Sequence, residues 1–334
     1  MTSGQSLLRV EDLSVDFPLP GALWRPRPIL RALRNVSFDL AAGETLGIVG
    51  ESGCGKSTLG RAVLNLVRPS SGHVLWNGRD LETVSRRELR GLRREMTVVF
   101  QDPLASLDPG MTVEALVGEP LEIFEPGLSN AEKRKRIAAI LDRVGLPVDA
   151  MDRYPHQFSG GQCQRIGIAR ALILRPKMIV CDEVVSALDV SVQAQIVALL
   201  GDLRREMGLA LLFISHNLAV VRQISDRIMV LYLGKVMEIA DRDSLYDRPR
   251  HPYTQALLSA VPVPDPDIER NRWRVRLSGD LPSPVHPPQG CVFHTRCPHV
   301  EDRCRSEAPS LDATDNRHHV ACHRWREIGA PASI

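Results

Sequence analysis

Two stretches of this 334-residue chain carry side chains spaced for phosphate chemistry. Gly50-Glu51-Ser52-Gly53-Cys54-Gly55-Lys56-Ser57, followed by Thr58, fits the pattern G-x-x-x-x-G-K-[ST]. Glycines at these positions let consecutive backbone N–H groups turn inward around phosphate oxygens, Lys56 reaches the β and γ phosphates of a nucleotide, and the Ser57 hydroxyl ligates Mg²⁺. A helix starting here aims the positive end of its dipole at the anion. The second stretch, Met178-Ile-Val-Cys-Asp182-Glu183, is an apolar run ending in two carboxylates. Ligands bind at the C-terminal edge of strands in open α/β sheets, so Asp182 suits Mg²⁺ and Glu183 suits a general base for an attacking water. An acidic pair after a strand is ordinarily just solvated. Downstream of a phosphate loop, the chemical reading outweighs the bland one.

Elements must exist to hold these residues. Residues 7–17 partly alternate apolar and polar, which predicts a strand ended by Pro18 and Pro20, and a Pro- and Trp-containing connector runs from Pro18 to Ile29. A second strand is predicted at Val36–Leu40, and Thr45–Val49 leads into the glycine-rich loop. From about 102 to 157 the pattern turns helical: Ser129 and Glu132 have capping-box spacing, and Ile137, Ile140, Leu141 and Val144 recur at helical intervals. Strand-like runs resume at 178–181, 211–214, 228–232 and 236–239. Strands alternating with helices indicate an α/β core. After residue 250 prolines crowd in, marking a boundary and a tail of short elements.

Composition excludes several classes. Lys plus Arg (42) nearly balance Asp plus Glu (40), leaving a net charge of +2 and no broad case for nucleic acid or anionic lipid as partner. The basic run 85–94 includes Glu88 and is read as a solvated helix face. No stretch approaches the ~20 apolar residues that span a bilayer. The N-terminus lacks the basic and apolar regions of an export signal, so the expected compartment is the cytosol, where the seven cysteines stay reduced.

Phe158-Ser159-Gly160-Gly161-Gln162, followed by Gln164-Arg165, resembles the signature motif of ATP-binding-cassette (ABC) ATPases. Gln101 matches that family's glutamine loop, Ser186-Ala-Leu-Asp189 its D-loop and His216 its switch histidine. Phe17 sits where the family stacks an aromatic ring on adenine, with core packing as the rival reading. The wording around Phe100–Leu107, Tyr154–His156, Ser186–Gln195, His251–Ala260 and Cys291–Cys297 is similar to the ATPases of peptide importers, closest to those of oligopeptide importers, and the likeness covers the whole chain. Nickel and glutathione importers share much of it. The Pro262–Asp267 run is part of this likeness. Val184-Val185 and Asp108-Pro-Gly110 depart from it, where the family commonly has Pro-Thr and Asn-Pro-Arg.

The resemblance implies an α/β ABC nucleotide-binding domain over 1–250, with a P-loop core, an antiparallel β subdomain and a helical subdomain at about 102–170. A Cys-containing extension would follow over 251–334. It implies ATP and Mg²⁺ bound through Gly50–Thr58, Gln101 and Asp182, and hydrolysis by Glu183 with His216 and Gln101. Ser159, Gly160, Gly161, Gln162 and Asp189 would meet the nucleotide of an opposite subunit. The implied partners are a second, different ATPase subunit, two membrane permeases and an extracytoplasmic peptide-binding protein, with this chain on the cytoplasmic face of the bacterial inner membrane. Some ATPases of this kind hold a [4Fe–4S] cluster in the extension. Cys291, Cys297, Cys304 and Cys322 are candidate ligands for one, with zinc or unliganded thiols as alternatives. Cys54, Cys163 and Cys181 read as small packing residues. A soluble ABC ATPase of DNA repair or translation, an exporter ATPase and a non-hydrolysing subunit are the competing classes. The single cassette, the extension, and the pair Glu183 and His216 weigh against them in turn.

Overall fold

The computed structural model describes residues 6–20, 27–262, 275, 277, 279–315 and 317–328. Residues 1–5, the middle of the connector (21–26) and 263–267 of the Pro-rich run lie outside the described residues. The chain divides into two interleaved units, one made of Met1–Leu7, Leu40–Thr45 and Thr83–Ser215, the other of Leu8–Asp39, Leu46–Glu82 and His216–Ile334.

The second unit contains β1 (Leu8–Pro18), β2 (Ile29–Leu40), β3 (Thr45–Val49), α1 (Lys56–Val63), β4 (Ser71–Trp76) and β5 (Arg79–Asp80). Strands β2-β1-β4-β5 form one sheet, in which β1 and β4 run antiparallel. Leu8, Val10, Leu13 and Val15 of β1 are buried, and the alternation slips once because the pairing shifts register between Glu11 and Ser14. β2 begins seven residues before the predicted Val36. Its first residues point no apolar row inward, Ile29 being 45% exposed, so no alternating pattern announces them.

The first unit holds α2 (Arg86–Leu92), β6 (Met96–Val99), α3 (Pro103–Ser106), α4 (Val113–Phe124), α5 (Asn130–Arg143), α6 (Gly160–Leu172), β7 (Met178–Asp182), α7 (Val190–Met207) and β8 (Ala210–Ile214). Strands β6, β7 and β8 are parallel neighbours, and every residue of β7 and β8 is buried. Unbroken apolar runs are what parallel strands need when both faces are covered. The predicted helical insertion is present, with Ile137, Ile140, Leu141 and Val144 buried along one stripe of α5 and its cap. Ser129 accepts the Glu132 N–H at 3.2 Å, but the other half of the capping box is replaced: the Glu132 carboxylate accepts from Arg136 Nε one turn later. Helix α2, the basic run, buries none of its residues.

The second unit continues through α8 (Leu218–Ile224), β9 (Arg227–Tyr232), β10 (Lys235–Asp241), α9 (Arg242–Asp247), α10 (Pro252–Ser259), a short helix at Asp302–Ser306, β11 (Asp312–Asp315) and β12 (His318–Val320). Its larger sheet has the order β11-β12-β10-β9-β3, parallel between β3 and β9 and antiparallel beyond. Among the described residues no helix is long and apolar enough to cross a membrane.

Candidate nucleotide site

Strand β3 is buried at all five residues and delivers the chain into the loop 50–55. Gly55 caps α1 at φ +106°, and a Cβ there would stand 2.4 Å from the Ala32 carbonyl oxygen, so only glycine fits. Lys56 opens α1 as predicted and is 4% exposed. Its Nζ donates to the carbonyls of Gly50 at 2.8 Å and Glu51 at 3.0 Å, and lies 3.8 Å from Cys54 Sγ. The ammonium is thus folded onto the loop's own carbonyl oxygens. Ser52 and Gly53 are exposed at the loop's rim; Ser57 and Thr58 are half-buried in the first turn of α1. Burial pushes the Cys54 thiol up, in keeping with a packing role. The turn between β9 and β10 ties down the loop, with the Gly234 N–H donating to the Cys54 carbonyl at 2.9 Å.

Two contacts of Glu51 had no counterpart in the sequence reading. Its N–H donates to the Tyr253 hydroxyl at 2.9 Å, and its carboxylate accepts from Arg296 at 2.8 Å. Both partners lie in family-like words, His251–Ala260 and Cys291–Cys297, but a contact across more than 200 residues leaves no periodic trace. Phe17 is half-buried near the end of β1 and is not part of the core. His216, two residues beyond β8, is exposed.

In the other unit, Asp182 ends β7 and is 5% exposed, while Glu183 is half-buried at φ +50°. That left-handed backbone costs a non-glycine residue about 1 kcal/mol. It is held by the Glu183 N–H donating to the Ile214 carbonyl at 3.0 Å and by the Glu183 carbonyl accepting from Ser186 N and Oγ at 3.1 and 2.9 Å. Val184 and Val185 are buried at 1% and 2%, so the departure from Pro-Thr serves the core and leaves both carboxylates in place. Asp108 Oδ1 accepts the Gly110 N–H at 2.9 Å, closing a local turn in the other departing segment. Cys181, wholly enclosed, has its thiol pushed up to about 12 by burial and by Asp182.

Ser159-Gly-Gly-Gln162 proves to be a complete capping box for α6. Gln162 N–H donates to Ser159 Oγ at 3.4 Å, and Ser159 N–H donates to Gln162 Oε1 at 3.0 Å. Gly161 is required by close approach: a Cβ would meet Val192 Cγ1 of α7 at 2.5 Å. Asp189 is the exposed N-cap residue of α7. Gln101 is exposed just after β6, beside a groove of about 280 Å³ lined by Phe100, Pro103, Leu107, Ile123 and Arg170. Gln164, also in its wall, is 1% exposed, and both polar atoms of its side chain are buried without a hydrogen-bond partner among the described residues.

Cys291 and Cys304 are buried, Cys297 and Cys322 half-buried, and the Cys291 N–H donates to the Cys304 carbonyl at 2.9 Å. Burial pushes the thiols of Cys297 and Cys322 up to about 11 and about 12, and the neighbouring cysteines add to both. A single-ion centre such as zinc needs ligand atoms converging on one point, whereas the thiolates of a [4Fe–4S] cluster each take a different iron. Among the described residues no group of three or more His, Cys, Asp or Glu side chains is placed to hold a metal ion. The zinc reading of these four residues therefore lacks a converging donor set, and nothing among the described residues supports the [4Fe–4S] reading.

Comparison with known proteins shows the family. A family model for ABC transporters matches residues 33–186, and one for the oligopeptide/dipeptide transporter C-terminal region matches 237–304. The oligopeptide transport ATP-binding protein OppF of Haemophilus influenzae is 53% identical over 319 residues, covering 95% of this chain and 96% of its own. OppF of Escherichia coli (strain K12) is 52% identical over 326 residues, covering 96% and 97%. Among solved structures, the dimeric post-hydrolysis state of the ATP-binding cassette MJ0796 bound to ADP and Pi is similar, with a TM-score of 0.63 and 30% identity. The likeness covers 70% of this chain and 98% of that one. Near-complete coverage at over half identity, with both family matches on one chain, places the protein among the ABC transporter ATP-binding proteins of the oligopeptide transport family.

Proposed function

We propose that this chain is the ATP-hydrolysing subunit of a membrane transporter that imports oligopeptides or dipeptides. The observation that carries the reading is the joint presence of an ABC region and a peptide-transporter C-terminal region, at full-length similarity to oligopeptide transport ATP-binding proteins. ATP is the substrate. Lys56 exchanges the Gly50 and Glu51 carbonyls for β- and γ-phosphate oxygens, and the amides of 50–58 and the N-terminus of α1 take the remaining charge. Mg²⁺, when bound, neutralises phosphate charge, with Ser57, Gln101 and Asp182 as the residues that would hold it. Glu183 accepts the proton of the attacking water, His216 contacts the γ-phosphate, and Phe17 offers a face to adenine.

Ser159, Gly160, Gly161, Gln162 and Asp189 act on the nucleotide of a second, different ATPase subunit. Ser159 and Gln162 already fix the start of α6, so the N–H groups there are aimed before any partner arrives. Two membrane permeases complete the assembly, and the groove with the exposed Phe100 and Ile123 is the surface read as theirs. An extracytoplasmic protein delivers the peptide, and this chain works as a peripheral protein on the cytoplasmic face. The test is ATP-dependent uptake of labelled di-, tri- and pentapeptides by vesicles carrying the reconstituted complex. Uptake of any of them supports the reading and fixes the size class. An assembled, ATP-hydrolysing complex that takes up nickel or glutathione and no peptide would overturn the substrate assignment and leave the ATPase standing.

A further inference from the structure

The mechanism leaves one charged group beside the phosphate loop unused. Arg296 Nη1 donates to Glu51 Oε2 at 2.8 Å, with the two side chains only 11% and 27% exposed. Glu51 is the second residue of the loop and is gripped at three points. Its N–H goes to the Tyr253 hydroxyl at 2.9 Å, its carbonyl accepts from Lys56 Nζ at 3.0 Å, and its carboxylate meets Arg296. Two of those three anchors come from beyond residue 250.

The anchors are themselves held rigidly. Tyr232, Tyr253 and Phe293 form a triangle of rings with centroids 4.8, 5.3 and 5.3 Å apart. All three are fully buried. The Arg296 N–H donates to the Phe293 carbonyl at 3.0 Å, and the guanidinium carbon lies 6.0 Å from the Tyr232 ring centre. The two anchors from beyond residue 250 do not depend on Lys56, which turns to the phosphates in the proposed mechanism, and they fix where this part of the loop points. Arg296 also places a cation on the one carboxylate of a loop that must accept a polyanion, cancelling a like charge.

We propose that Arg296 and Tyr253 are positioning residues for ATP binding, through which the C-terminal region sets both the shape and the charge of the phosphate loop by way of Glu51. The inference rests on reading Gly50–Ser57 as that loop. Arg296 does not itself touch the nucleotide in this account; it acts through Glu51.

The experiment compares KM for ATP and kcat of the complete reconstituted transporter carrying Arg296→Gln, Arg296→Lys, Glu51→Gln and the Arg296→Gln/Glu51→Gln pair. Arg296→Gln leaves the Glu51 charge facing ATP, and the expected result is KM raised about 10-fold with kcat within about 2-fold of wild type. Arg296→Lys keeps the charge and should stay within about 3-fold in KM. The double substitution removes the repulsion and should bring KM back toward wild type, a rescue that a fastening role alone would not produce. An unchanged KM in Arg296→Gln, a Lys variant as impaired as Gln, or a double worse than the single would each overturn the proposal. If Arg296→Gln fails to assemble, Tyr253→Phe decides, since it removes only the hydroxyl that accepts the Glu51 N–H: the proposal requires KM raised at least about 3-fold with kcat within about 2-fold of wild type, and an unchanged KM overturns it. Lys56→Ala run beside them separates the two readings, since normal ATP affinity in that variant would sink the phosphate-loop assignment itself.

Discussion

Glu183 stands at φ +50°, a conformation that side chains resist, at the position where the chain must turn from β7 and present a carboxylate. Strain of this kind persists when the surroundings over-determine it, and here the Ile214 carbonyl and Ser186 do so. Replacing Glu183 by Gln keeps size and backbone but removes the base. The expected outcome is ATP binding at wild-type affinity with turnover reduced about 10²- to 10⁴-fold, measured by equilibrium binding and phosphate release. Wild-type turnover would remove Glu183 from the base role. The identity of Asp182 and Glu183 as candidates was legible because five buried residues of a parallel strand leave an unbroken apolar run before them. Their backbone was not legible: left-handed geometry at a glutamate is imposed by β8 and the following turn, and no residue type signals it. The same holds for Arg296 and Tyr253, whose chemistry is readable but whose target is distant in the chain.

At the scale of elements, helical stripes and buried strands were readable, whereas β11 and β12 were not. β12 is three residues long, and its first, His318, is a polar side chain buried at 1%. Hydropathy cannot announce a strand whose inward residue is an imidazole. What admits it is Glu238 of β10, fully buried, which accepts from the Arg250 N–H at 2.7 Å, the His251 N–H at 3.0 Å and His318 Nε2 at 2.7 Å. His251 stands beside this cluster as the N-cap of α10, its Nδ1 accepting the Tyr253 N–H at 3.0 Å. Burial drives its pKa from 6.5 down to about 4, with Glu238 opposing. Between those values the unfolded chain holds a proton on His251 that the folded chain lacks. Stability therefore rises with pH through this window and is lost as pH falls from about 6.5 toward 4. His251→Asn keeps a capping oxygen and cannot titrate. Urea unfolding should show wild type losing about 2 kcal/mol more than His251→Asn between pH 7 and about pH 5. Equal losses would mean that His251 is accessible to protons in the folded protein.

For the whole molecule, the chain passes repeatedly between its two units, so the phosphate loop and His216 belong to one while Asp182, Glu183 and the Ser159 signature belong to the other. In the proposed function each ATP is shared between one subunit's Lys56-type loop and the other's Ser159-type signature, so that hydrolysis would belong to the assembled transporter. Moving such a pair from about 1:99 to about 99:1 in favour of the closed state requires ATP to favour closure by about 5.5 kcal/mol. Charge-assisted contacts to the γ-phosphate from both subunits can supply that, and hydrolysis removes them. Such sharing would make substitutions within this one chain act on different nucleotides. Lys56→Ala should abolish photolabelling of this chain by an azido-ATP and spare its partner. Ser159→Arg should leave this chain labelled, because its own loop is intact, while lowering labelling of the partner, whose nucleotide loses the opposing signature. The substitution also removes a cap from α6, costing about 1 kcal/mol of helix stability, so the labelling of this chain doubles as the check that it is folded. If Ser159→Arg instead removed label from its own chain and spared the partner, the two motifs would serve the same ATP, and the reciprocal closure by which this importer is argued to work would be wrong.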